Sequence, residues 1–176
     1  MTIHDEHPFA DPPASRDALR QFRGRLPTAV TLVATGSAAS RAGLTVSSVL
    51  LAPGEPGQLV ALIDPDSDVG SALEHGTTIT VSVLGPDDMY LAEAFAGLAP
   101  APGGRFRLGS WTQTDWGPAI EGAPWLGAKV TDLRPVGWSL GVTARVEHVQ
   151  LAAIDPLVHI HGRYLTVDDD RQHVDP

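Results

Sequence analysis

Two runs rich in Val, Leu and Thr, residues 28–35 and 42–52, are separated only by Gly36-Ser37-Ala38-Ala39-Ser40 and Arg41. Such composition suits a pleated, half-buried backbone, and the small polar stretch between the runs reads as a hairpin loop, so they are expected to be neighbouring strands. The pattern persists along the chain. Pro53-Gly54-Glu55-Pro56-Gly57 breaks the second run, and residues 58–63 follow as a third strand, apolar enough to predict burial on both faces. Residues 77–84 alternate cleanly, and 127–132, 138–148 and 159–167 are further strand candidates.

Helices are few. Ser15 is a suitable N-cap for a helix through Phe22, with Leu19, Phe22 and Leu26 predicted on its buried side and Pro27 ending the run. Ser67 caps a short helix expected from Asp68 to His75, closed by Gly76. Another opens at Gly85-Pro86-Asp87-Asp88, shares Leu91, Phe95 and Leu98 on one face, and stops at Gly97. Short strands with two or three helices predict a mainly β fold: a closed β-barrel with flanking helices rather than a parallel sheet. The expected organisation is a loose tail at 1–14, one domain over 15–168 and a second tail at 169–176.

Composition narrows the function classes. With 43% hydrophobic and 19% charged residues the chain is an ordinary globular one. Its net charge of −9, with Lys129 as the sole lysine, argues against nucleic-acid binding, which needs clustered positive charge. Arg16, Arg20, Arg23 and Arg25 read as a solvated helix face. No apolar run is long enough to span a membrane and the first residues lack a signal-peptide pattern, so no membrane role is expected. Zero cysteines exclude disulfides and thiolate metal sites, leaving a cytoplasmic location as the default.

Within the second run, Thr45, Ser47 and Ser48 put three hydroxyls into four residues. They suit the polar groups of a planar heteroaromatic ligand, and equally a strand whose serines face water or bond neighbouring loops. Ser67 at a helix start suits a phosphate or a plain N-cap. Asp64, Asp66 and Asp68 surround it, and a like-charge pair about 4 Å apart costs roughly 4 kcal/mol at an effective dielectric near 20. A phosphate there requires those carboxylates turned away or an arginine brought in. His159 and His161, two apart, would share one side of a strand. Without a third ligand beside them they predict no metal, and a surface pair or one ring contacting a substrate is the better reading. Neither a Gly-x-Gly-x-x-Gly turn, a phosphate loop nor a Gly-x-Ser-x-Gly elbow occurs.

The order of these pieces resembles the flavin reductase-like, FMN-binding split-barrel family. The resemblance is carried by Phe22 to Thr35 with its Pro27-Thr28-Ala29-Val30-Thr31, by Gly43-Leu44-Thr45-Val46-Ser47-Ser48, and by residues 64–73. It continues through Thr80-Val81-Ser82-Val83-Leu84, Leu91 to Gly97, Arg105-Phe106 with Trp111, and Pro156 to Tyr164, so that it covers roughly residues 19–167. It implies a six-stranded Greek-key split barrel that forms a homodimer with flavin near the interface. The implied FMN contacts are Thr28, Ala29, Val30, Thr45, Val46, Ser47 and Ser48 around the ring, Ser67 near the phosphate, and Ser82, where the family commonly has asparagine. His161 and Arg163 are the implied contacts for the nicotinamide. At the phosphate end the family often has Ser-Arg-Thr, whereas this chain has Ser67-Asp68-Val69.

The activity implied is hydride transfer from NADH or NADPH to FMN, with FAD an alternative acceptor and supply of reduced flavin to a partner monooxygenase a further expectation. The flavin carries the chemistry, so no catalytic side chain and no metal is expected. A different class is a non-catalytic split-barrel protein that binds flavin or another planar cofactor, such as heme, without reducing it. An oxidase of the related pyridoxamine-phosphate type is disfavoured by the scarcity of lysine and the acidic run.

Overall fold

The computed structural model describes residues 18–167. The expected tails at 1–14 and 169–176 and the Ser15 cap therefore lie outside the described residues. Helix α1 (Ala18–Arg23) leads into β1 (Thr28–Ala29), β2 (Thr31–Thr35), β3 (Ala42–Val46), β4 (Val49–Ala52) and β5 (Gln58–Ile63). Next come α2 (Asp68–Ala72), β6 (Thr78–Val83) and α3 (Met89–Phe95). The second half supplies β7 (Trp111–Thr114), β8 (Gly117–Ile120), β9 (Trp125–Val136), β10 (Ser139–Gln150), β11 (Leu157–Ile160) and β12 (Arg163–Thr166).

Seven strands make one antiparallel sheet in the order β3-β2-β6-β9-β10-β5-β4. Its two edges, β3 and β4, are consecutive in the chain, with only Ser47 and Ser48 between them. They are halves of one bent strand, which pairs with β2 before the bend (Thr31 opposite Val46) and with β5 after it (Val49 opposite Ala61). The bend curls the sheet until its edges meet. With the bent strand taken once, six strands form the barrel, and β6 lies beside β2 on the side away from the bent strand and β5, a Greek-key order. The closed barrel expected from the strand pattern, and the six-stranded Greek-key form implied by the resemblance, are thus observed.

Period-two alternation fills the interior. Val33, Leu59, Ile63, Ile79, Val130 and Val142 are all essentially inaccessible. A second cluster lies outside β2, where Val30, Leu32, Leu84, Phe95 and Leu157 pack under α3 and the neighbouring loops. Every residue of β2 is therefore buried. Strand β5 differs from its expected two-sided burial: Val60 and Leu62 are each 40% exposed, because no described residue covers the outer face of β4 and β5.

Other expectations are corrected as well. Leu19, Phe22 and Leu26 remain largely exposed, so α1 buries none of its apolar side within the described residues. Leu98 is exposed because Gly97, at φ 76°, turns the chain away from the α3 face first. Helix α2 stops at Ala72, and Gly76 instead donates its N–H to the Val130 carbonyl on the way into β6. His161 (φ 52°) and Gly162 (φ 72°) form a two-residue turn between β11 and β12, so His159 and His161 do not share a strand face.

Candidate functional site

The barrel's closing corner opens onto a cleft of about 370 Å³, lined by Pro27, Thr28, Ala29, Ser47, Ser48 and Val49, with Leu50, Val60 and Leu62 as its apolar flank. Strand β1 is held beside this corner by β11, with Thr28 opposite His159 and Ala29 opposite Val158. Ser48 remains in the β5 ladder: its hydroxyl donates to the Leu62 carbonyl (2.9 Å), and Leu62 N–H donates to the Ser48 carbonyl (3.1 Å). Ser47 makes no side-chain hydrogen bond to any described residue, and its hydroxyl is half-buried at the cleft wall.

Of the nine residues expected around a flavin, four gather here: Thr28, Ala29, Ser47 and Ser48. Val30 does not, because its backbone is committed, donating to Leu157 (2.8 Å) and accepting from Leu84 (3.0 Å), while its side chain is in the core. Val46 points into the barrel interior. Thr45 turns to the other side of the strand and donates its hydroxyl to the Ala92 carbonyl of α3 (2.7 Å). Ser82 is 1% exposed and accepts a hydrogen bond from Ile120 N–H (3.2 Å), so it reaches neither cleft.

A second cleft, of about 430 Å³, opens at the start of β3. It is lined by Ala42, Gly43, Asp68, Phe106 and three arginines, Arg41, Arg105 and Arg107. In a chain of net charge −9, three guanidiniums to one carboxylate is a marked local excess of positive charge. Each cation has a distinct support. Arg41 Nε donates to Gln113 Oε1 (3.2 Å), and its guanidinium lies 5.8 Å over the Phe106 ring. Phe106 is itself fixed edge-on against Phe95 (5.0 Å) and Trp111 (4.8 Å). The positive φ angles of Gly103 (81°) and Gly104 (106°) turn the backbone so that Arg105 and Arg107 follow at the rim. Arg105 Nη1 lies 3.4 Å from Asp68 Oδ2.

Ser67 stands beside this cleft with its hydroxyl spent on the fold, donating to the Asp64 carbonyl (2.7 Å) and accepting from Gly70 N–H (2.9 Å) as the α2 cap. The Asp64 carboxylate accepts from Asp66 N–H (2.9 Å), and Asp68 faces Arg105. The condition set by the acidic run, that an arginine be brought in, is therefore met. Sequence reasoning noticed Arg105-Phe106 as a motif but did not place Arg41, Arg105 and Arg107 together. The need for a cation near Ser67 was legible in the sequence, but not which arginines would supply it.

The β11–β12 hairpin carries His161 and Arg163 on its exposed tip, and His161 N–H donates to the Gly24 carbonyl (2.7 Å). This hairpin borders the serine cleft through the pairing of β11 with Thr28. His159 is half-buried against Tyr164, ring centroids 5.6 Å apart. Burial, helped by the positive charge of Arg23, holds the His159 pKa below the ordinary histidine value. Burial, and secondarily Glu93, pushes Tyr164 upward. Among the described residues no group of three or more His, Asp or Glu is placed to hold a metal, and no helix is long and apolar enough to cross a membrane.

The two clefts sit at opposite ends of one strand, Gly43 and Ser47 being about 13 Å apart along it at 3.3 Å per residue. One end offers a free hydroxyl and an apolar wall; the other offers cations. Neither gathers a nucleophile with a base to activate it. The set suits an elongated ligand with a planar polar ring and an anionic tail, and the residues present therefore fit a flavin mononucleotide.

Comparison with known proteins agrees with this shape. A family model described as "Flavin reductase like domain" matches residues 23–168. The FMN reductase (NADH) RutF of Ancylobacter novellus is 32% identical over 113 residues, covering 64% of this chain and 62% of that protein. An NADH:FMN oxidoreductase of Rhodococcus erythropolis is 32% identical over 157 residues, covering 85% and 78%. The chain thus spans a little under two thirds of the RutF relative's length. Among solved structures, the NADH:FAD oxidoreductase SgcE6 of Streptomyces globisporus superposes with a TM-score of 0.78 at 25% identity, covering 92% of this chain and 98% of that one.

Proposed function

The chain belongs to the flavin reductase-like domain family, and from that premise we propose that it reduces FMN with hydride taken from NADH or NADPH. One observation carries the reading: a serine-and-backbone cleft and a three-arginine cleft terminate the same strand. In this assignment Ser47, Ser48, Thr28 and Ala29 hold the ring, while Arg41, Arg105 and Arg107 hold the phosphate beside Ser67. FAD, which shares the ring and carries a pyrophosphate, is the alternative acceptor. Bound flavin supplies the hydride-accepting ring. The chain's task is to position two planar rings and exclude water, so it needs no catalytic acid or base of its own. Arg163 at the hairpin tip offers a cation to the pyrophosphate of the nicotinamide nucleotide, with His161 beside it.

The apolar flank formed by Leu50, Val60 and Leu62 is continuous with the serine cleft, and a second copy of the chain laid over it would both bury that flank and close the ring site. The functional unit is accordingly a homodimer. The arginine cleft lies at the other end of the strand from the flank that the second copy covers and stays open to solvent, the side from which reduced flavin would pass to a partner oxygenase. The absence of cysteine accords with a cytoplasmic location.

The test is direct. Purified protein with FMN is mixed with NADH, and separately with NADPH, and nucleotide oxidation is followed by absorbance, with FAD and riboflavin as alternative acceptors. Flavin-dependent oxidation of at least one nucleotide is expected. Its absence in every pairing overturns the proposal.

A further inference from the structure

We propose that Asp68 is a built-in competitor for the phosphate end of the flavin, and that its pairing with Arg105 sets how far this chain prefers FMN over riboflavin. The inference rests on the flavin reading above and concerns the strength of one end of that site.

The three arginines of the cleft are not equivalent. Arg41 is oriented by Gln113 and Phe106, and Arg107 lies across Gly103, where an added Cβ would come within 3.0 Å of its Cδ. Arg105 has a carboxylate as its ionic partner, Asp68 at 3.4 Å. That contact is loose: the Arg105 side chain is 38% exposed and that of Asp68 is 77% exposed. An exposed ion pair of this kind contributes little to the fold, so an arriving anion can displace it. Displacement leaves Asp68 beside the incoming phosphate, since the backbone at Asp68 is fixed by the Ser67 cap. A phosphate monoester carries close to two negative charges at neutral pH, so repulsion persists after binding. Asp68 therefore acts twice, occupying Arg105 before binding and opposing the phosphate afterwards. Riboflavin, which has the ring and ribityl chain without the phosphate, meets neither effect. A reductase arranged this way holds its flavin by the ring and keeps the anionic tail easily exchanged.

Asp68→Asn isolates the effect, because asparagine keeps the side-chain shape and leaves the Ser67 cap untouched. Binding is read without nicotinamide, by titrating the full chain with FMN and with riboflavin and following flavin fluorescence. Summing the loss of a weak exposed pair and of one screened like-charge repulsion, Asp68→Asn is expected to tighten FMN roughly three- to thirtyfold and leave riboflavin within about twofold. The gain should shrink at high salt. Arg105→Ala should weaken FMN toward the riboflavin value, with circular dichroism confirming that both variants fold. If both flavins bind but Asp68→Asn shifts them equally, or shifts neither, the competitor role is refuted and the flavin reading stands. If the unaltered chain binds neither flavin, the flavin reading fails and this inference fails with it.

Discussion

Gly43 stands where the barrel touches the aromatic cluster that carries the arginine cleft, and replacing it by alanine tests that packing. A Cβ built there would lie 2.5 Å from Phe95 Cε1, 2.8 Å from Phe95 Cδ1 and 3.1 Å from Phe106 Cζ. Phe95 is 1% exposed and tilted against Phe106 and Trp111, so it has no solvent-facing rotamer to escape into. Overpacking of this sort costs about 1–3 kcal/mol. Gly43 is not at positive φ, so alanine also restricts the unfolded chain, recovering about 0.4–1 kcal/mol. A 2.5 Å approach to a ring that cannot move places the cost in the upper half of that range, about 2–3 kcal/mol, so the clash wins and a net loss of roughly 1–2.6 kcal/mol is expected, which lowers the urea midpoint by several tenths of a molar or more. Gly127 provides the contrast. Its added Cβ would also strike a ring, 2.5 Å from Trp116 Cγ, but Trp116 sits in the β7–β8 turn, half-exposed, and can swing outward. Doing so gives up its hydrogen bond to Glu147 (3.1 Å) and its stacking on His148 (5.1 Å). Gly127→Ala should therefore change tryptophan fluorescence while shifting the urea midpoint less than Gly43→Ala. A Gly43→Ala protein as stable as the unaltered chain, or a reversed order of the two variants, would refute the packing argument.

Two further outcomes are expected. Because burial holds His159 below the ordinary histidine pKa, the unfolded chain takes up that proton first as pH falls through about 6.5. Stability is fully present above that value and is lost toward the lowered native pKa, so the melting temperature of the unaltered chain should drop between pH 7.5 and pH 5.5 by more than that of His159→Gln; equal drops would contradict the assignment. The apolar flank predicts a second effect. Leu62→Glu places a charge on a side chain 40% exposed in the single chain, which leaves the barrel folded but should convert the proposed homodimer to a monomer in sedimentation velocity. A monomeric unaltered chain at tens of micromolar would remove the basis for that variant.

The sequence carried the barrel because its strands obey local rules. Val/Thr runs, a Gly-Ser loop and a clean alternation at Thr78–Val83 are written into adjacent residues. What escaped depends on distant partners. Strand β9 continues past the expected stop at 132, through Pro135, because it lies in a long hairpin whose far end pairs Pro135 with Leu140. The β7–β8 hairpin was hidden since Pro118 interrupts an apolar run that is buried nonetheless. Residues 58–63 looked two-sided by composition, yet which face a strand buries is decided by what lies above it. The arginine cleft was illegible for the same reason: Arg41 and Arg105 are far apart in the chain, and only the packing of Phe106 under Arg41 joins them.

The hydroxyl run at Thr45, Ser47 and Ser48 shows how one local oddity serves several ends. Thr45 ties the strand to α3 through the Ala92 carbonyl, and Ser48 ties the next half of the strand to β5 through Leu62. Between them the chain leaves β2 and joins β5, and a residue at such a switch has a ladder partner on neither side. Ser47 occupies that place. That place follows from closing a six-stranded barrel with one bent strand, and the Ser47 hydroxyl stands there with no side-chain hydrogen bond to a described residue. The same corner is left uncovered by the described residues, since β4 and β5 present their outer face to solvent there. Among the described residues, the barrel's closing corner thus holds both a polar side chain without a hydrogen-bond partner and an apolar rim without a cover, side by side. A planar ligand with polar edges, capped by a second copy of the chain, satisfies both at once.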